Sequence, residues 1–150
     1  MLTSLSALVG SWNLSREITH HAEGTDRFLG TSRFVQAEAF VVQEDKGTLE
    51  TKHGSFEATR RYIWTETDGR LDVFFDDMRP FHSVPLGALR PEATHLCPPD
   101  TYHVTYDFRE WPRWRSVWRV EGPRKRYIME SLFTPHLASA ETAGHNAPNI

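Results

Sequence analysis

Side chains that can titrate or hydrogen-bond crowd into one stretch of this 150-residue chain: Asp76, Asp77, Arg79, His82, His95, Cys97, Asp100, Tyr102, His103 and Tyr106. A half-buried strand ordinarily alternates aliphatic residues with Thr, Lys or Glu, so a concentration of His, Asp and Tyr points to a site. The histidines could serve as a general base near neutral pH, or as metal or haem ligands. His95-x-Cys97 is the one compact metal-like spacing, and a structural zinc site usually needs four such ligands at recognisable intervals. No metal is therefore expected. A hydrolase would need a nucleophile beside a base, yet the chain has no Gly-x-Ser-x-Gly elbow and no Cys/His signature. Cys97 beside Pro98 reads as a small buried hydrophobe. Asp76 and Asp77, with Arg79 close behind, also fit an ordinary turn capped by a salt-bridged cluster.

Two arginines sharpen the picture. Arg16 interrupts the alternating apolar series Trp12, Leu14, Ile18, and Arg60 interrupts Phe56, Ala58, Tyr62, Trp64. A guanidinium on an apolar face keeps its proton and requires an anion or several acceptors. Two readings stay open: an internal ion pair with Asp72, Asp77 or Glu130, or capture of a ligand's anion.

Period-2 alternation runs from Trp12 onward in short pieces separated by Gly, Pro, Asp and Asn, which predicts an all-β chain. Strands are expected over Trp12 to Ile18, Arg27 to Val35, Phe56 to Thr65, Leu71 to Phe75, Phe81 to Val84, Ala93 to Cys97, Thr101 to Arg109, Trp114 to Glu121 and Arg124 to Phe133. Asp45-Lys46-Gly47 predicts a hairpin between Phe40 to Gln43 and Thr48 to Lys52. A short apolar turn at Leu2 to Leu8 is the one helical candidate. The small and polar residues from Thr134 to Ile150 read as a tail with little intrinsic structure, leaving residues 1–133 as one domain. Nine to eleven short strands must hide their edges. An antiparallel closed or nearly closed barrel does this most simply, and polar inner faces favour it over a dry sandwich.

Seventeen basic against twenty acidic residues give a net charge of −3, which supplies no field for a polyanion. Trp111 to Arg119 alternates as an inner and an outer strand face, so nucleic acid is not expected as a partner. No apolar run approaches the ~20 residues of a membrane helix, and the opening Met1 to Val9 lacks a basic n-region and a full apolar core. A single cysteine allows no internal disulfide. A cytoplasmic protein without a membrane partner is expected.

Gly10-Ser11-Trp12 after a short apolar turn resembles the opening of the calycin superfamily, which includes lipocalins and fatty-acid-binding proteins. More particular are Arg60-Arg61-Tyr62-Ile63-Trp64, Leu71 to Asp77, Phe81-His82, His95 to Tyr102 and Gly122-Pro123-Arg124-Lys125. Together they are similar to an uncharacterised, mainly bacterial calycin-like family, domain of unknown function family 6314. The resemblance spans about Leu5 to Phe133 and implies a lipocalin-like barrel, with no established activity to carry over. Met78 departs from it, standing where glycine is expected in an Asp-Asp-Gly-Arg turn. In such a barrel Trp12 closes the lower end under a basic side chain, here Arg124 or Arg126. Arg60-x-Tyr62 and Lys125-x-Tyr127 are also similar to the Arg-x-Tyr carboxylate clamp of fatty-acid-binding proteins.

The expected function is binding of a small, amphipathic, anionic organic ligand in an aromatic cavity. Arg16 and Arg60 neutralise the anion. Tyr62, Tyr102, Tyr106 and Tyr127 donate hydrogen bonds, Trp64, Phe75 and Trp118 pack the apolar body, and His82 and His95 line the polar end. No cofactor is implied, and a homodimer is left open. The rivals are an isomerase or lyase of the same fold with His82 or His95 as general base, and a haem-binding barrel with one axial histidine.

Overall fold

A computed structural model describes residues 1–136. The chain enters through a 3-10 turn, Leu5–Leu8, and then forms ten strands: β1 (Gly10–His20), β2 (Gly24–Gln36), β3 (Val41–Thr51), β4 (Gly54–Thr67), β5 (Arg70–Phe75), β6 (Pro80–Pro85), β7 (Glu92–Cys97), β8 (Asp100–Asp107), β9 (Trp114–Glu121) and β10 (Arg126–Pro135). They make a single sheet in the order β6-β5-β4-β3-β2-β1-β10-β9-β8-β7, and its ladders are antiparallel. β6 and β7, the two ends of the sheet, lie side by side without a ladder, so the barrel is nearly closed. No helix among the described residues is long and apolar enough to cross a membrane.

Because each strand reverses the last, the turns β1–β2, β3–β4, β5–β6, β7–β8 and β9–β10 gather at one end, and the 3-10 turn sits at the other. The second end is solid. Leu2, Leu5 and Leu8 are buried there, the Leu5 amide donates to Glu66 Oε1 (2.8 Å) and the Gly87 amide to Leu2 O (3.0 Å). Above them Trp114 stacks on Phe133 with centroids 3.8 Å apart, and Phe34 meets both Trp64 and Trp114 edge-on. Burying each of these side chains stabilises the fold by roughly 1.5–3 kcal/mol.

Trp12 belongs to this plug, but not under a basic side chain. Its indole N–H donates to Leu8 O (2.8 Å), and its ring packs on Trp111 and Trp114 at 5.6 and 5.9 Å. The register explains why: Trp12 faces Pro135, whereas Tyr127 faces His20, so Arg124 and Arg126 lie at the opposite end of the barrel.

The predicted hairpin at Asp45-Lys46-Gly47 does not form. β3 runs unbroken through these residues, pairing Asp45 with Ser32 and Gly47 with Gly30, and turns only at Lys52 and His53. Gly47 is in the chain for close approach: a Cβ there would collide with the backbone of Leu29 and Gly30, and one on Gly30 with the backbone of Lys46 and Gly47. This glycine pair lets the sheet coil tightly where it bends around the barrel. β10 also extends two residues past the expected end at Phe133, to Pro135. The rest of the predicted tail, residues 137–150, lies outside the described residues.

Candidate functional site

Alternation along β1, β2, β3 and β10 delivers polar side chains to one level of the interior. Arg16 (6% exposed) donates from Nε to Ser131 Oγ (2.7 Å) and from Nη2 to Asp45 Oδ2 (3.1 Å). Asp45 (1% exposed) also accepts from Ser32 Oγ and, at 3.0 Å, from Gln43 Nε2. Gln43 Oε1 in turn accepts from Trp64 Nε1 (2.8 Å). A chain of hydrogen bonds therefore crosses the barrel from Ser131 to Trp64, and the buried carboxylate has its ion pair and two further donors. The internal partner of Arg16 is Asp45, not one of the carboxylates expected. Asp72 instead pairs with Arg70 and Asp77 with Arg79, at 2.9 and 2.7 Å.

Above this layer lies a chamber of about 120 Å³ lined by Arg16, Ile18, Phe28, Asp45, Leu49, Ala58, Thr59, Arg60 and Met129. Arg60 is exposed and reaches Tyr62 Oη at 3.4 Å, its one hydrogen bond among the described residues. It also borders a second, open cleft of about 500 Å³, shared with Arg61, Tyr62, Phe75, Asp76, Asp77 and Arg79. Arg60 is thus the wall between inner chamber and outer cleft. Burial lowers the pKa of Arg16, Asp45 opposes that, and the like charge of Arg60 adds to it. For Arg60 desolvation is outweighed by Tyr62, Tyr127 and Asp45, which together raise its pKa. Both guanidinium groups stay charged, and one carboxylate lies between them.

The remaining predicted residues divide into three groups. Tyr62, Phe75, His95, Tyr102 and Trp118 surround Phe81, whose ring lies 4.6 Å from Phe75, 5.1 Å from Trp118, 5.5 Å from His95 and 5.6 Å from Tyr102. Of this cluster, Tyr62 and Phe75 line the outer cleft beside Arg60. Tyr127, half-buried, sits on the rim in a hollow of about 300 Å³, and desolvation raises its phenol pKa despite Arg60 and Lys125. Trp64, His82 and Tyr106 face the packed interior instead. Trp64 is tied to Gln43, and His82 Nε2 lies 2.7 Å from Tyr106 Oη, with Tyr106 stacked on Phe108. Burial, helped by the charge of His95, pushes His82 down to about 3, and burial raises the phenol of Tyr106. Both Phe81 and His82 are buried because a register shift between Val73 and Phe74 breaks the alternation opposite β6.

Met78 occupies the left-handed region (φ 71°), and the β5–β6 turn closes around it through Met78 N to Phe75 O (2.8 Å) and Phe75 N to Arg79 O (2.9 Å). That is the conformation for which glycine was expected. Asp45, Ser32, Gln43 and Ser131 escaped the sequence reading. The available signal was their phase: Gln43 and Asp45 alternate with Val41 and Leu49 once β3 is read as one strand.

No curated protein matches the chain in sequence. Among solved structures, the S-type phycobiliprotein lyase CPES from Guillardia theta superposes with a TM-score of 0.59 at 9% identity, covering 85% of this chain and 86% of that one. A protein of unknown function from the DUF3598 family of Nostoc punctiforme PCC 73102 gives 0.59 at 13% identity, over 88% of this chain and 48% of its own. At such identities the likeness is one of fold, a nearly closed calycin-like barrel. Residues 8–135, the whole barrel, match the family of unknown function DUF6314, and the chain belongs to that family.

Proposed function

We propose that this barrel binds a small, amphipathic, anionic organic molecule at its open end. The observation that carries the reading is the charge count in the chamber: Arg16 and Arg60 both line it, and Asp45 is the one carboxylate that does. A second anion relieves the repulsion between the guanidinium groups and gives Arg60 the partner it lacks. Ile18, Phe28, Leu49 and Met129 supply an apolar wall, and Tyr62 offers a phenol beside Arg60. The same-fold enzyme reading is weaker. It asks for an effective base at the ligand, whereas burial leaves His82 only weakly basic, with a pKa of about 3, and holds it on Tyr106, and His95 is packed on Phe75 and Phe81. The single free thiol, Cys97, fits a reducing cytoplasm.

Native mass spectrometry of protein purified from its host is expected to show a co-purifying acid, and calorimetry to show decanoate binding where decanol does not. Arg60→Met should weaken decanoate by about tenfold or more, the loss of one charge-assisted contact. Equal binding of acid and alcohol, or an Arg60→Met variant that binds decanoate as the wild type does, would remove the anion from the reading.

A further inference from the structure

The chamber's depth order narrows the chemistry of the ligand, on the reading that an anion meets Arg16 and Arg60. Going inward from the open end, Ile18 precedes Arg16 on β1, Leu49 precedes Asp45 on β3, Ala58 precedes Arg60 on β4 and Met129 precedes Ser131 on β10. The apolar collar is therefore outside and the charges are at the floor. Below Arg16 and Asp45 the interior is filled, since Gln43 and Trp64 hold each other and Leu14 and Phe34 are buried, while the outer cleft opens on the far side of Arg60. Arg16, though 6% exposed, uses only Nε and Nη2, and Nη1 donates to nothing among the described residues. A guanidinium nitrogen without an acceptor, on a residue lining the chamber, is placed to receive an oxygen that comes from above.

Size completes the argument. About 120 Å³ is room for roughly four groups of water or methylene size, at about 30 Å³ each. A carboxylate fills about half of that and leaves space for about two methylenes. We infer that the ligand is recognised by a carboxylate on a short, unbranched apolar arm, inserted head first so that its oxygens reach Arg16 Nη1 and Arg60 while the body of the molecule stays outside the collar. A carboxylate together with the ring that bears it, about eight groups, exceeds the roughly four the chamber holds, and a polar arm is penalised by Ile18, Phe28, Leu49 and Met129.

The test is an NMR titration of the full-length protein with 4-phenylbutyrate, benzoate and 4-phenyl-1-butanol, probes that share a phenyl group and differ in arm or charge. The expected result is 4-phenylbutyrate binding at least about tenfold tighter than benzoate, the worth of two or more buried methylenes, with no comparable binding of the alcohol. Ala58→Leu, which fills the collar without touching a charge, should bring 4-phenylbutyrate down to the benzoate level. Leu49→Phe is the second collar variant should the first fail to fold. If the two acids bind alike, insensitive to either collar variant but lost in Arg60→Met, the carboxylate sits in the outer cleft and the head-first insertion is wrong while the anion reading stands. If the alcohol matches the acids, or nothing binds, both fall.

Discussion

Asp45 does two opposed things, and a single substitution separates them. In the fold it neutralises Arg16 from a position 1% exposed, with Ser32 and Gln43 completing its contacts. Asp45→Ala leaves a buried guanidinium unpaired and should destabilise the protein by about 3–5 kcal/mol in urea unfolding at pH 7. Arg16→Met combined with Asp45→Ala should cost clearly less than the sum of the single changes, because neither charge is then stranded. In the chamber, however, Asp45 competes with any incoming anion. The same Asp45→Ala protein is therefore expected to bind a carboxylate tighter than the wild type although it is less stable. A variant that loses stability and affinity together would show that Asp45 positions the arginines and does not compete for them.

At the scale of elements, β2 and β3 meet at a glycine facing a glycine, where neither position has room for a Cβ. Gly47→Ala should destabilise by roughly 1–3 kcal/mol, the usual range for overpacking against backbone that cannot retreat. Gly24→Ala, at φ 93° but with nothing within 4 Å of its added Cβ, carries only the left-handed penalty of about 1 kcal/mol. Equal losses at the two sites, measured by thermal or urea melts, would refute close approach as the reason for Gly47. This glycine is also where the sequence misled. Alternating Trp12, Leu14, Arg16 and Ile18 announces β1 plainly, and the same pattern makes β4 and β9 legible. Asp45-Lys46-Gly47 instead carries the composition of a turn, and only contacts made across the sheet, with Ser32, Arg16 and Gly30, show it to be strand interior. With the turn went the partner of Arg16. The arginines themselves were legible because a charge on an apolar face stands out in one strand, whereas the carboxylate that answers it belongs to another. His82 faces the packed interior and not the polar end for a related reason: a register shift at Val73 and Phe74 leaves no local mark in β6.

Across the whole molecule the barrel is divided between a solid lower half and an open upper one, and His82 lies on the solid side. It is bonded through Nε2 to Tyr106 and leaves Nδ1 buried without a partner. The folded state therefore holds the imidazole neutral, with a pKa of about 3 against about 6.5 in the unfolded chain. A group whose pKa is depressed on folding binds its proton more readily when unfolded. Its contribution to stability is intact above about pH 6.5 and is lost as pH falls toward 3. The slope in that window approaches about 1.4 kcal/mol per pH unit for one proton. Hydrogen-bonded carboxylates follow lower down, since Asp107, held by Arg109, is depressed to about 2 and Asp72 and Asp77 are lowered as well. Between pH 6.5 and 4.5 the histidine should thus dominate, removing about 2–3 kcal/mol in wild-type protein. His82→Gln keeps an amide that can meet the Tyr106 hydroxyl and cannot titrate, so its stability should be nearly flat over the same interval. Urea midpoints collected at several pH values on both proteins decide the matter: parallel curves would mean that His82 is not the proton acceptor, and that the packed half of the barrel owes its acid sensitivity to other groups.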